Sequence, residues 1–157
     1  MKQLQEQKHL DFIKKAGNTA KNSTCQRSKC GAIIVKDDEI IGQGYNSPPY
    51  NLESQRRCYN PKTKYNQKVT DKTCCIHAEQ RAIFDALKNN PDKLENSSLY
   101  FIRLDENENL SYAGEPYCTI CSKMALDVGI MFFILYYREG VYGYDTKEYN
   151  DLSYNYN

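Results

Sequence analysis

The sequence predicts an α/β protein, a three-layer α/β/α sandwich around a mixed sheet, and three observations carry that prediction. Two β-branched runs separated by an acidic dipeptide mark an antiparallel hairpin. Two later apolar runs are separated by a stretch with helical periodicity, the order expected of a parallel crossover. Helical periodicity also occurs before the hairpin and again between it and the apolar runs, which supplies helices for both faces of the sheet.

From Leu4 to Ala20, the residues Leu10, Ile13, Ala16 and Ala20 recur at helical spacing, with Gly17 and Asn18 weakening the C-terminal part. Gly31 to Lys36 and Glu39 to Tyr45 flank Asp37-Asp38, the two-residue turn of a hairpin. The segment 46–73 contains Pro48-Pro49, Arg56-Arg57, Cys58 and Pro61 and has neither period. A loop of that length is uncommon unless it serves a site, is ordered by a ligand or metal, or is disordered. His77 to Lys88 places Ala78, Ala82, Ile83, Ala86 and Leu87 on one helical face and stops at Asn89-Asn90-Pro91. Ser98 to Leu104 reads as a buried strand, Cys118 to Val128 as a short helix closed by Gly129, and Ile130 to Tyr136 as a further buried strand. The Tyr-rich tail, 141–157, fits either a short helix packed as a cap over the site or a frayed terminus.

With 157 residues the chain matches one compact domain, since two would each be too small to bury a core. Apolar residues at 40% and charged residues at 26% exclude global disorder, while the negative mean hydropathy indicates a polar surface. Lys and Arg (21) nearly balance Asp and Glu (20), so a long phosphate backbone is not the default ligand. No segment is long and apolar enough to span a bilayer, and the N-terminal residues lack the apolar core of a leader, so a cytoplasmic location is expected. The seven cysteines are an odd number without the even framework of a secreted scaffold, which favours reduced thiols and metal ligation.

His77-Ala-Glu79 and Pro116-Tyr-Cys118-Thr-Ile-Cys121 together hold one imidazole, two thiols and one carboxylate, each at a predicted helix start. Cys118 and Cys121 are three residues apart, which puts both sulfurs on one helical face and lets them grip one ion. His77 adds a third ligand, and the open fourth corner is the mark of a catalytic zinc rather than a structural one. A helix N-terminus also lowers thiol pKa, as thiolate ligation requires. Two thiolates cancel the charge of Zn²⁺ and weaken it as a Lewis acid, so bound water needs a nearby base, the role assigned to Glu79.

The H-x-E and P-C-x-x-C pair resembles the zinc nucleobase deaminase signature, in which the Glu is not a ligand; here Tyr117 intervenes between Pro116 and Cys118. The likeness extends to Ser23-Thr-Cys25, Gly31-Ala-Ile-Ile-Val35 and Gly44-Tyr-Asn46, which are similar to the opening of the deoxycytidylate deaminase family, and to His77-Ala-Glu-Gln-Arg-Ala-Ile83, similar to its zinc helix. The resemblance covers most of Lys14 to Tyr136 and implies a cytidine deaminase-like fold with a five-stranded mixed sheet. It also implies one catalytic zinc, a cytosine nucleotide as substrate, and a homo-oligomer. Carried over by position, it assigns Asn46 to the nucleoside and Arg27 to the segment approaching the phosphate; Ala78 beside the zinc ligand His77, and Tyr117, where the chain departs from the family pattern, are further candidate substrate contacts. Several family members hold a second, structural zinc in this insertion, which makes Cys25, Cys58, Cys74 and Cys75 candidate ligands.

Two other functions fit the same residues. Arg56, Arg57, Lys62, Lys64, Lys68 and Lys72, with Tyr50, Tyr59 and Tyr65, make the long loop basic and aromatic, as a deaminase acting on RNA or single-stranded DNA would need. A zinc-stabilised interaction module without turnover would use the ligands but has no need of Glu79.

Overall fold

The computed structural model describes residues 1–157. In chain order its strands are β1 (Lys2–Leu4), β2 (Cys30–Lys36), β3 (Glu39–Tyr45), β4 (Ser98–Leu104), β5 (Leu110–Ser111), β6 (Phe132–Tyr137) and β7 (Gly140–Asp145). The helices are α1 (Gln7–Ala20), α2 (Ala78–Asn89), α3 (Thr119–Asp127) and α4 (Thr146–Tyr154). The strands form one mixed sheet in the order β1-β7-β6-β4-β2-β3, with β5 added to β4. Only β4 and β6 are parallel, and α3 lies on the connection between them, as the strand, helix, strand order predicts. The sheet therefore has seven strands, not five. Five strands have six or seven residues; β1 and β5 have three and two, too short for an alternating pattern to register.

The hairpin is locally determined. Asp37 and Asp38 take φ of 50° and 62°, the left-handed pair that matches the twist of flanking strands, and Asp tolerates this region better than most residues. Along β2 the side chains alternate between two cores. Ile33 and Val35 meet Phe12, Ile13, Ala16 and Ala20 of α1, whereas Ala32 and Ile34 join the cluster containing Ala82, Ile83 and Ala86 of α2 and Ala125 of α3. One helix thus covers one face, and α2, α3 and α4 cover the other.

The tail is ordered. Residues of β7 pair with β6, and Asp145 caps α4 by accepting from the Lys147 N–H at 3.0 Å and the Glu148 N–H at 3.4 Å. Asp145 followed three residues later by Glu148 is a helix-start pattern whose signal is local. Tyr149 of α4 then stacks flat on Phe133 at 3.9 Å, closing the core.

Helix α2 lies unusually close to the sheet. A Cβ placed on Gly44 would stand 2.4 Å from the Ala78 carbonyl oxygen, and one on Gly42 would stand 2.4 Å from that of Ala82. These glycines, facing the alanine row Ala78, Ala82 and Ala86, set the height of α2 above β3 and therefore the position of its N-terminus. The segment 46–77 leaves the sheet just beyond β3 and returns through a bridge in which the Ile76 N–H donates to the Ser47 carbonyl at 2.9 Å. Between these ends are short 3-10 turns at Pro49–Asn51, Glu53–Gln55 and Lys62–Lys64.

Gly44→Ala is expected to destabilise the protein by about 1–3 kcal/mol through overpacking, because the obstructing atom is backbone and the helix must lift. Gly114→Ala, with nothing within 4 Å of the added carbon, is the control and should leave the midpoint of chemical denaturation unchanged.

Candidate active site

Two helix N-termini meet beside the sheet. His77 is the residue preceding α2, held extended at φ −70° and ψ 151°, and its N–H donates to Gln80 Oε1 at 3.0 Å. Cys118 is the corresponding residue of α3, with Cys121 in the first turn on the same side. His77 Nδ1 lies 3.2 Å from Cys121 Sγ and 3.5 Å from Cys118 Sγ, and the three donor atoms all fall within 4.8 Å of one another. A tetrahedral zinc with ordinary bond lengths separates nitrogen from sulfur by ~3.5 Å, so the donor set fits that ion. No fourth ligating atom belongs to the group.

Glu79 is buried at 6% exposure on the first turn of α2. Burial, reinforced by the charge on Cys118, pushes its carboxyl up to about 7. The Cys118 thiol is drawn down to about 4 by its hydrogen bond with Cys121, assisted by His77, while the same bond and burial push Cys121 up. The pairing thus favours ionisation of Cys118 over Cys121, and a divalent cation would displace protons from both.

A cavity of about 550 Å³ adjoins His77, bounded on one side by Cys25, Arg27 and Asn46 and on the other by the insertion. Asn46 lines it but is also a structural tie: its Oδ1 accepts from Ser23 Oγ at 2.6 Å and the Cys30 N–H at 2.8 Å, and its Nδ2 donates to the Ser28 carbonyl at 2.9 Å. Arg27 lines the cavity with its guanidinium donating to the carbonyls of Cys58 and Asn60. Ala78 is fully buried under α2, and its side chain does not reach the cavity. Tyr117 is 56% exposed at the cavity edge, where its hydroxyl accepts from Arg103 Nη2 at 3.3 Å and its ring meets Tyr156 at 5.9 Å.

The sequence offers the tail as a cap over the site without saying which of its tyrosines reach it; Tyr149 and Tyr156 do. Tyr149 packs in the core cluster that holds Ala78 and Ala82 of α2, and burial, then the charges on Glu79 and Cys118, raise its hydroxyl. No spacing rule links a C-terminal tyrosine to a motif that far upstream.

A second donor cluster joins the insertion to the segment before β2. The sulfurs of Cys25, Cys58 and Cys75 fall within 4.8 Å of one another. Cys75 Sγ is 3.8 Å from both Cys58 Sγ and Cys74 Sγ, close to the ~3.8 Å between sulfurs around tetrahedral zinc. Cys74 Sγ is 3.1 Å from Cys58 Sγ, closer than two thiolates on one zinc would stand, and Cys74 falls outside the three-sulfur group, so three of the four cysteines singled out in the sequence converge as a donor set.

A family model for the cytidine and deoxycytidylate deaminase zinc-binding region matches residues 6–137. The deoxycytidylate deaminase of Mycobacterium phage D29 is 30% identical over 125 residues, covering 76% of this chain and 86% of the phage protein. That of Saccharomyces cerevisiae is 28% identical over 123 residues, 76% of this chain but 34% of the yeast protein, so the chain spans about a third of that relative's length. The apo crystal structure of dCMP deaminase from the cyanophage S-TIM5 superimposes with a TM-score of 0.60 at 26% identity, covering 86% of this chain and 85% of that one. A cytidine deaminase from Burkholderia pseudomallei, at 16% identity and a TM-score of 0.58 over 90% of this chain and 94% of its own, shares the fold.

Elemental analysis of the purified protein is expected to give about two zinc ions per chain, falling to about one in Cys121→Ser and in Cys58→Ser alike. A wild-type value near one that Cys58→Ser leaves unchanged would remove the thiol cluster as a metal site.

Proposed function

Because the chain belongs to the cytidine and deoxycytidylate deaminase zinc-binding family, we propose that it hydrolytically deaminates a cytosine nucleotide of the dCMP type and releases ammonia. The observation that carries this reading is a buried carboxylate, Glu79, beside a three-donor set that lacks a fourth protein ligand. The names of the D29 and yeast relatives support the choice of dCMP.

A zinc ion held by His77, Cys118 and Cys121 would supply Lewis acidity, making water at the open corner acidic enough to ionise near neutrality. The proton movements belong to Glu79. It accepts a proton from the attacking water and delivers it to N3 of cytosine, which makes C4 electrophilic as the C4–O bond forms. It then carries the second water proton to the exocyclic amino group, the C4–N bond breaks, and ammonia leaves. Water is consumed, the ring gains one N–H and one carbonyl, and Glu79 ends in the state in which it began. Burial suits this work, since a carboxylate shielded from solvent passes its proton to the ligand instead of losing it to bulk water.

Two features weigh against the other readings. Arg56 pairs with Glu53 and donates to the Thr24 carbonyl, and Arg57 donates to the carbonyls of Asp71 and Thr73, so both arginines brace the loop and are withdrawn from the basic surface a polynucleotide would need. An interaction module without turnover would bear the cost of burying Glu79 with nothing gained. A cytoplasmic setting is supported by seven free thiols, and self-association by exposed Phe84 and Leu87 on α2 and Ile120 on α3.

Glu79→Gln is expected to retain its zinc and lose turnover of dCMP by about 10³-fold, read as ammonia release. Near wild-type turnover in that variant would sink the assignment.

A further inference from the structure

Four cations line the cavity beside His77, namely Arg27, Arg57, Lys62 and Lys72, and they share it with one carboxylate, Asp71, and with the thiols of the second donor cluster. The cations divide into two kinds. Both arginines are committed to the main chain: Arg27 donates to the carbonyls of Cys58 and Asn60, the latter at 3.0 Å, and Arg57 donates to those of Asp71 at 2.9 Å and Thr73 at 3.0 Å. Arg57 is also seated over the Tyr65 ring at 4.5 Å. Asp71 in turn accepts from the Thr73 N–H at 2.9 Å and from Thr73 Oγ1 at 2.6 Å.

The ammonium groups of Lys62 and Lys72 make no hydrogen bond or ion pair with any other residue. Each lysine sits where an arginine holds the backbone. Arg27 fixes the carbonyl of Asn60, two residues before Lys62, and Arg57 fixes the carbonyls on either side of Lys72. The arginines thus shape the insertion, and the lysines keep all their donors for a ligand. A flexible ammonium with three rotatable donors suits a doubly charged, tetrahedral oxyanion held in the cavity that both lysines line.

We propose that Lys62 and Lys72 are the residues that recognise the 5′-phosphate of the substrate, and that Arg27 and Arg57 act as positioning residues for them. This rests on the nucleotide reading of the cavity given above. It moves phosphate recognition from the position implied by resemblance, Arg27, to this chain's own insertion, and it makes the insertion the element that distinguishes a nucleotide from a nucleoside.

The test compares dCMP with deoxycytidine in two measurements on zinc-loaded protein: steady-state deamination, and calorimetric binding to the Glu79→Gln form. Lys62→Gln combined with Lys72→Gln is expected to raise KM and Kd for dCMP by about 10- to 100-fold with kcat within about twofold, and to leave deoxycytidine unchanged. Restoring the charge with Lys62→Arg and Lys72→Arg should recover most of the loss. Unchanged dCMP binding in the double Gln variant would overturn the proposal, as would an equal loss for both ligands or wild-type protein that binds dCMP no more tightly than deoxycytidine. Lack of turnover of either compound by the wild type would sink the deaminase reading, whereas the binding arm would still report on the lysines.

Discussion

The site depends on one constraint, that the first turns of two helices from opposite ends of a long sequence interval must bring an imidazole and two sulfurs within bonding reach of a common point. His77 precedes α2 and Cys118 precedes α3, so each helix aims its N-terminal partial positive charge at the thiolates. Neither helix can drift. Gly42 and Gly44 let α2 rest on the backbone of β3, and the parallel pairing of β4 with β6 ties down both ends of the crossover that carries α3. Packing of small residues far from any ligand thereby determines the geometry of the donors.

The same packing explains how a carboxylate comes to be buried. Glu79 lies in the first turn of α2 among the buried residues Ala78, Ala82 and Ile83, a position that would ordinarily hold an apolar side chain. Its partners are the ionisable groups of the metal site, and the tail adds Tyr149, stacked on Phe133, above them. A polar group retained among apolar neighbours at a functional centre is a local violation that the surrounding core must sustain.

The insertion between β3 and α2 behaves as a separately braced unit. Its neck is closed by the Ser47 and Ile76 bridge, its interior by guanidinium bonds to backbone carbonyls, and its thiols Cys58 and Cys75 converge on Cys25, which lies outside it. A long segment without regular structure can be ordered when its carbonyls find buried or half-buried donors, and here arginines supply them. That bracing also leaves the lysines of the segment free at the cavity wall.

By itself the sequence determined the elements whose signals are local: the hairpin with its two-aspartate turn, the two helices bearing the H-x-E and C-x-x-C residues, the parallel crossover, and the identity of the four central side chains. Such features follow from spacing and from residue conformational preference, which act over a few positions. Tertiary structure alone decided the rest. Strands of two and three residues exist only because neighbours pair with them, and although Asp145 and Glu148 mark the start of α4 locally, pairing with β6 made the strand before it and stacking on Phe133 fixed where the helix sits. Asn46 and Arg27 show the limit most plainly, because both line the cavity while bonding groups 16 or more positions away in sequence. A side chain's type states what it can bind, but which partner it meets is set by how distant segments approach one another, and no pattern along the chain encodes that distance.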